Sequence, residues 1–444
     1  MKKILPAAFL FAFLVYACSS DELKNPIDVE LRKAINKTSP TGSYEHFILP
    51  QATDFNNIPQ EPSNPLNPIK VELGKMLFYE AGLALDPKYP EAKGTYSCAS
   101  CHIPEAGFMP GRAQGIADGG TGFGKNGEGR TKFYFYSNDE PDVQGARALN
   151  VCNVAFVPNT TWAGMFGGTD NNLGTNAQWT GDLEINHLGL KGLESQAIAV
   201  QTVHRMLINK AITDSLGYTP YFDAAFPEFP PSERYSKITL AYALSAYLRT
   251  LIPHRAPFQD WLKGQENAMS EQEKNGALLF FGKAGCYKCH NGEALHNPTQ
   301  FFAVGVKDLY ETGEAIKTDV HDKRNLGRGG FTQNPTDMFK FKVPQLYNMH
   351  GGSHFFHGSS KHSLREVVEY FNNAVPENAR VPKEQLAPQF RPLNLTPSEI
   401  DDLVLFLERS LYDPQMDRFV PAQVLSGYCF PNNDQQSKSD LGCQ

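Results

Sequence analysis

At 444 residues the chain exceeds what one hydrophobic core usually serves, so two domains are expected. Its composition, 41% hydrophobic and 20% charged with ample Gly and Pro for loops, is that of a globular protein. A net charge of -7 without any basic run argues against nucleic acid as the main partner and suits a basic protein partner.

The chain opens MKKILPAAFLFAFLVYACSS. Lys2 and Lys3 form a positive start, Ile4 to Ala17 an apolar run too short to span a bilayer comfortably, and Cys18 follows Val15-Tyr16-Ala17. This stretch resembles the lipobox of bacterial lipoproteins, which implies a signal peptide over 1–17, cleavage before Cys18 and a lipid on its thiol. A plain secretory signal is the alternative. The expected location is the periplasmic side of a bacterial membrane, with attachment only through that lipid. Residues 18–50 are polar without a sustained period and read as a tether.

Further along, NPIKVELGKMLFYE (67–80) has apolar residues at helical spacing and leads into Thr95-Tyr96-Ser97-Cys98-Ala99-Ser100-Cys101-His102. A Gly-rich loop region lies between Gly107 and Gln144. A long amphipathic helix is predicted over Ser232 to Ile252. The order then repeats. Ser270-Glu271-Gln272-Glu273 is a capping box before the helical run NGALLFF, and Cys286-Tyr287-Lys288-Cys289-His290 follows. Ser363 opens a helix through VVEYFNN, and Thr396-Pro397-Ser398-Glu399 caps IDDLVLFLERSL. Strand signals are sparse, so the fold class is mainly α with long irregular loops, in two similar halves over 51–260 and 261–425. A tail over 426–444 carries Cys429 and Cys443, expected to pair in an exported chain. Cys152, in the apolar run ALNVCNVAFV, is expected to be a small buried residue.

Cys-x-x-Cys-His is the attachment signature of c-type haem: two thiols form thioethers with the porphyrin and the adjacent His ligates iron. A redox dithiol does not require the His, and a zinc site needs the two Cys pairs brought together. Two covalent haems are therefore expected, held by Cys98, Cys101, Cys286 and Cys289, with His102 and His290 as iron ligands.

The order of LGKMLFYE, YSCASCHIPEAGF, ALNVCNVAF, QWTGD, LESQAIA, GCYKCHNG, FKFKVPQLYNM, HFFHGSSKHSLREVVEYF and LTPSEIDDLVLFL, from Leu73 to about Leu411, resembles the bacterial dihaem cytochrome c peroxidase and MauG family. The resemblance implies two cytochrome-c-like domains that reduce hydrogen peroxide to water with electrons from a small cytochrome or copper protein. It implies that the C-terminal haem accepts electrons and that peroxide meets the N-terminal one. A homodimer is compatible with it.

Departures from the family pattern matter. Where many members carry a His that blocks the N-terminal iron, this chain reads QGIADGGTGFG around Asp118, which implies a site open from the start. The family's catalytic Glu is replaced by His204-Arg205-Met206, making His204 a candidate base and Arg205 a candidate for stabilising oxygen charge. Gln196 matches a family Gln of the same pocket. Trp179, in QWTGD, matches the relay Trp between haems, with Trp162 as its rival. At the usual sixth-ligand position of the C-terminal haem stands Phe371, which cannot ligate; Tyr370 is one residue off, and Met338, Met349, His350, His354 and His362 are substitutes. The family's calcium Asn aligns with Arg147, and its carbonyl ligands fall near Gly352 and His354, while His357 fits a His at the domain interface. These features predict a peroxidase. A MauG-like high-valent-iron oxidase and a dihaem electron carrier without turnover are the alternatives.

Overall fold

A computed structural model describes residues 25–443. The expected signal peptide over 1–17 and Cys18 lie outside those residues. Among the described residues, strands are limited to two antiparallel ribbons, Gly120–Thr121 with Thr131–Lys132 and Phe301–Phe302 with Phe341–Lys342. Short helices and turns make up the rest, as the sparse strand signals predict. No described helix is long and apolar enough to cross a membrane.

Each half is built on a crossed pair of helices. In the first, Pro68–Phe78, capped by Asn67, packs on Lys237–Arg249, capped by Ser236. In the second, Glu271–Phe280, capped by the Ser270 box, packs on Pro397–Leu405, capped by the Thr396 box. Both crossings are closed by a glycine. A Cβ on Gly74 would stand 1.8 Å from the Ala243 carbonyl oxygen, and one on Gly276 would stand 2.0 Å from that of Asp402. Only a residue without a side chain lets the backbones approach so closely. The closing helix of the first half is shorter than the sequence predicts: residues 232–236 form turns, with Ser236 as cap.

Two hydrophobic cores follow from these crossings. The first gathers Leu73, Leu77, Phe78, Tyr96, Cys101, Leu240, Leu244 and Tyr247; the second gathers Phe258, Trp261, Ala277, Phe280, Phe281, Leu403 and Phe406. The closing helix of the second half runs on into a π-helical turn over Phe406–Ser410.

The ends of the chain are exchanged between the cores, which corrects two expectations. Residues 25–50 are not a free tether. Pro26–Thr38 is a helix whose Leu31 and Ile35, with Phe47 and Leu49, are buried in the second core. Asp28 is buried there, accepting from the Trp261 indole N–H at 2.6 Å and paired with Lys274 at 2.8 Å. A carboxylate can be buried in this way only because both its partners are fixed. Conversely, the segment after Asp413 returns to the first half, where Met416, Phe419 and Val424 join its core. Cys429 and Cys443 are bonded to each other. Between them, Asp434 is buried against Arg130 at 3.4 Å and accepts from the Thr121 hydroxyl and the Gly122 N–H, each at 2.9 Å. The polar overall composition of the N-terminal helix and of the tail concealed both contacts in the sequence.

Candidate functional site

Both Cys-x-x-Cys-His motifs form the same local structure. Cys98–Ser100 and Cys286–Lys288 are single 3-10 turns directly before the second Cys and the His. His102 Nδ1 lies 3.3 Å from the Phe108 carbonyl oxygen, and His290 Nδ1 lies 2.8 Å from that of Leu295. An Nδ1–H donated to a carbonyl leaves Nε2 as the free lone pair, which is the arrangement of an iron-ligating His. Burial lowers both imidazole pKa values to about 4, so both rings are neutral and ready to ligate.

The four thiols are unbonded. Burial raises Cys98, Cys101 and Cys286 to about 12 and Cys289 to about 11, far from the thiolate character a redox dithiol needs. Cys98 and Cys101 belong to the first core and Cys286 to the second, so the pairs do not combine into one metal site. In the second half a cavity is bounded by Cys286, Cys289 and His290 and walled by apolar side chains such as Phe280, Val343, Val368 and Leu403. Thiols, imidazole and apolar walls together fit a haem.

Around the first motif the polar groups are dense. Gly115 lies against Cys101: a Cβ there would stand 2.6 Å from its sulfur. The loop that follows contributes a carboxylate and no imidazole. Asp118 is fully buried and accepts from the Tyr136 hydroxyl at 2.6 Å, from the Lys88 N–H at 2.8 Å and from Arg205. Arg205, held at positive φ, also donates to the Glu140 carbonyl at 3.3 Å. Its guanidinium is thereby committed to Asp118, which corrects the expectation that it is a free oxygen-stabilising group.

His204 is differently placed. It ends the helix Gly192–Val203, and its Nδ1 lies 2.6 Å from Asp142 Oδ2. Burial opposes its cation, but the charge of Asp142 and the hydrogen bond outweigh that and raise its pKa above the ordinary value. Tyr96, two residues before Cys98, donates its hydroxyl to the His204 carbonyl at 2.9 Å, which sets this pair near the first motif. Asp142 had no signal in the sequence. Gln196 is half-buried on the same helix, and its side chain makes no hydrogen bond among the described residues.

The two tryptophans exchange expectations. Trp179 is buried in local contacts, donating to the Thr175 hydroxyl at 3.0 Å with its ring edge-on to His187. It does not line the second cavity, whereas Trp162 does. Trp162 donates from its indole nitrogen to the Arg147 carbonyl at 2.6 Å, and its ring lies near Phe341 and His357. Arg147 in turn reaches the first half, donating to the Pro110 carbonyl at 2.9 Å, and its charge acts on His102.

Among the described residues, Arg147 is a buried guanidinium without a carboxylate partner. Burial lowers its pKa to about 9, and its Nε has no acceptor. A fixed cation of this kind suits the carboxylates of a haem and opposes a calcium ion at the same place. His357 is also buried, with Nε2 2.9 Å from Asp308 and its ring stacked 3.6 Å from Phe341.

Of the sixth-ligand candidates for the second haem, only Met349 lines the cavity; Met338, His350, His354 and His362 do not. Phe371 lines it as counted, and Tyr370 instead donates its hydroxyl to the Val304 carbonyl at 2.5 Å. Lys342, which sequence reasoning missed, also lines the cavity, with burial lowering its pKa to about 7. The motif FKFKVP contained it, but a lysine among phenylalanines reads as a surface residue until the cavity is seen.

Comparison with known proteins agrees with this geometry. Residues 68–267 match the family model of di-haem cytochrome c peroxidase. The chain is 28% identical over 367 residues to the methylamine utilization protein MauG of Methylorubrum extorquens, covering 81% of this chain and 82% of that protein. It is 26% identical over 375 residues to cytochrome-c peroxidase IdrP1 of Denitromonas iodatirespirans, covering 79% and 84%. Among solved structures, a MauG-like protein associated with microbial copper homeostasis aligns with a TM-score of 0.57 at 23% identity, covering 83% of this chain and 95% of that one. The paired haem motifs, their crossed-helix frames and these likenesses make the chain similar to the dihaem cytochrome c peroxidase and MauG family, whose model matches residues 68–267.

Proposed function

We propose that this protein is a dihaem c-type peroxidase that reduces hydrogen peroxide to water, taking electrons one at a time from a small redox protein. Per turnover, one peroxide, two electrons and two protons give two waters. When bound, the haems supply the iron that meets peroxide and the electron path that feeds it.

The observation that carries the reading is the asymmetry of the two sites. Near the first motif, joined to it through Tyr96, stands a hydrogen-bonded pair, His204 with Asp142, while His290 faces a largely apolar cavity. His204 takes a proton from one peroxide oxygen and returns it to the other as the bond between them breaks, and Asp142 holds the imidazole and raises its basicity. Arg205 acts as a positioning residue through Asp118. Trp162 is the better candidate relay, because it touches the second cavity and is hydrogen-bonded to the Arg147 backbone. Met349 is the candidate sixth ligand of the second haem, a thioether being a common partner for such iron. No calcium is assigned.

The lipoprotein reading of residues 1–18 stands with this function. Thioether haem attachment and the Cys429–Cys443 bond both suit an oxidising compartment outside the cytoplasm. A Cys18→Ser variant should leave the membrane fraction without losing its haems.

The test is steady-state peroxide consumption by the haem-loaded chain with a reduced small cytochrome as donor. Two donors oxidised per peroxide supports the reading. Peroxide-driven oxidation of an added protein or organic substrate without donor turnover would favour the MauG-like alternative, and no turnover would leave an electron carrier.

A further inference from the structure

Outside the haem motifs, the described residues bring one more set of donor atoms together. Glu314, His354 and His362 place a carboxylate oxygen and two imidazole nitrogens within 4.8 Å of one another. None of the three lines the second haem cavity.

The cluster is built rather than accidental. Glu314 precedes a latch: the Ile316 N–H donates to Gln114 Oε1 at 3.0 Å, and the same buried side chain donates from Nε2 to the Ile316 carbonyl at 3.0 Å. His354 is oriented by its neighbour. Its Nδ1 lies 2.8 Å from Ser353 Oγ, and that hydroxyl has the Gly111 carbonyl as its acceptor at 3.2 Å. The serine proton is therefore used on Gly111, and Ser353 Oγ receives the proton on His354 Nδ1.

That assignment leaves the lone pair of His354 Nε2 facing Glu314 Oε2 at 3.2 Å. Two lone pairs at that distance repel unless a metal ion or a second proton on His354 lies between them. The His362 ring completes the set, edge-on to His354 with centroids 5.1 Å apart. Its side chain makes no hydrogen bond to protein among the described residues, while its N–H is fixed on Glu366 Oε2 at 2.8 Å.

We propose that Glu314, His354 and His362 hold a borderline divalent transition-metal ion of the zinc or copper type. Two imidazoles and one carboxylate are the donors such ions select, whereas calcium and magnesium demand a shell of oxygens. A ligating His is usually oriented by an oxygen acceptor on its far ring nitrogen, and Ser353 Oγ, backed by the Gly111 carbonyl, fills that place here. Glu314 and His362 are exposed, so the ion keeps a position for water or a further ligand. Because the charge of Arg147 acts on His354, the Glu314 carboxylate is what makes the place acceptable to a cation. The supports Gly111 and Gln114 belong to the loop after the first haem motif, so the ion would fasten the second half to that loop.

The test uses the full, tag-free, haem-loaded chain, stripped with a chelator and titrated with Zn2+ by calorimetry. One ion per chain is expected beyond the haem iron. Glu314→Gln and His362→Gln should each weaken binding about 10-fold or more, and Ser353→Ala should weaken it about 10- to 100-fold. An unchanged haem spectrum shows that each variant is folded. Calcium in excess should not displace the ion. Absence of binding, binding unmoved by both Glu314→Gln and His362→Gln, or displacement by calcium would overturn the proposal, and the first would leave a protonated His354 paired with Glu314.

Discussion

At the scale of single residues, the chemistry depends on what His204 and Arg205 are bonded to. The two are adjacent in sequence yet take separate carboxylates, Asp142 and Asp118. His204 keeps a free ring nitrogen, while Arg205 fills a buried anion. Replacing His204 with Gln should therefore cost about 10²- to 10⁴-fold in kcat/KM for peroxide, the range of a lost general acid/base. Proton uptake needs the neutral imidazole, whose pKa Asp142 holds above the ordinary value of about 6.5. The activity should then rise with pH through a midpoint above that value. Asp142→Asn should move the midpoint down, and an unmoved pH profile would exclude the pair. Trp162→Phe should slow electron delivery to the first haem, measured by stopped flow, and Trp179→Phe should leave it intact. The sequence showed His204 by its place after LESQA, but not its partner 62 residues earlier. Asp142 lies in an irregular loop, where no periodicity links it to the helix it serves.

At the scale of elements, the repeat is what the sequence displayed best. Caps at Asn67, Ser270 and Thr396 stand where local chemistry puts them, because a capping hydrogen bond spans only three residues. The crossings of those helices were not legible, since Gly74 and Gly276 look like weak points in a helix when read alone. Their cost there is offset by the close backbone approach. Gly74→Ala or Gly276→Ala should force the helices apart and destabilise its half by about 1–3 kcal/mol or more, seen as a lower melting temperature of the haem-loaded protein. Second-half damage should appear first in the His290 haem spectrum.

At the scale of the whole molecule, the exchanged ends explain why two similar halves behave as one protein. The N-terminal helix covers the second core, and the C-terminal tail closes the first. Neither half has its complete core without the other end of the chain. The Arg130–Asp434 pair is a fully buried ion pair that attaches the tail. Burial raises the Asp434 pKa, but Arg130 and the hydrogen bonds from Ser437 and Gly122 prevail, and the net shift is downward. Its contribution is therefore present above the ordinary carboxylate value of about 3.9 and lost as pH falls through the lowered one. Asp434→Asn should destabilise the protein by about 3–5 kcal/mol at neutral pH, because it strands a buried guanidinium. It should also flatten the acid limb of stability measured by thermal melting. Tail and N-terminal helix were hidden in the sequence because their partners lie hundreds of residues away.

The proposed function requires that the first haem site be the open, chemically equipped one. Low-temperature EPR of the oxidised, haem-loaded protein before and after one equivalent of peroxide tests it most directly. A high-spin haem that reacts rapidly is expected, with a far slower reaction in His204→Gln. Two low-spin haems, inert to peroxide before and after partial reduction, would contradict it.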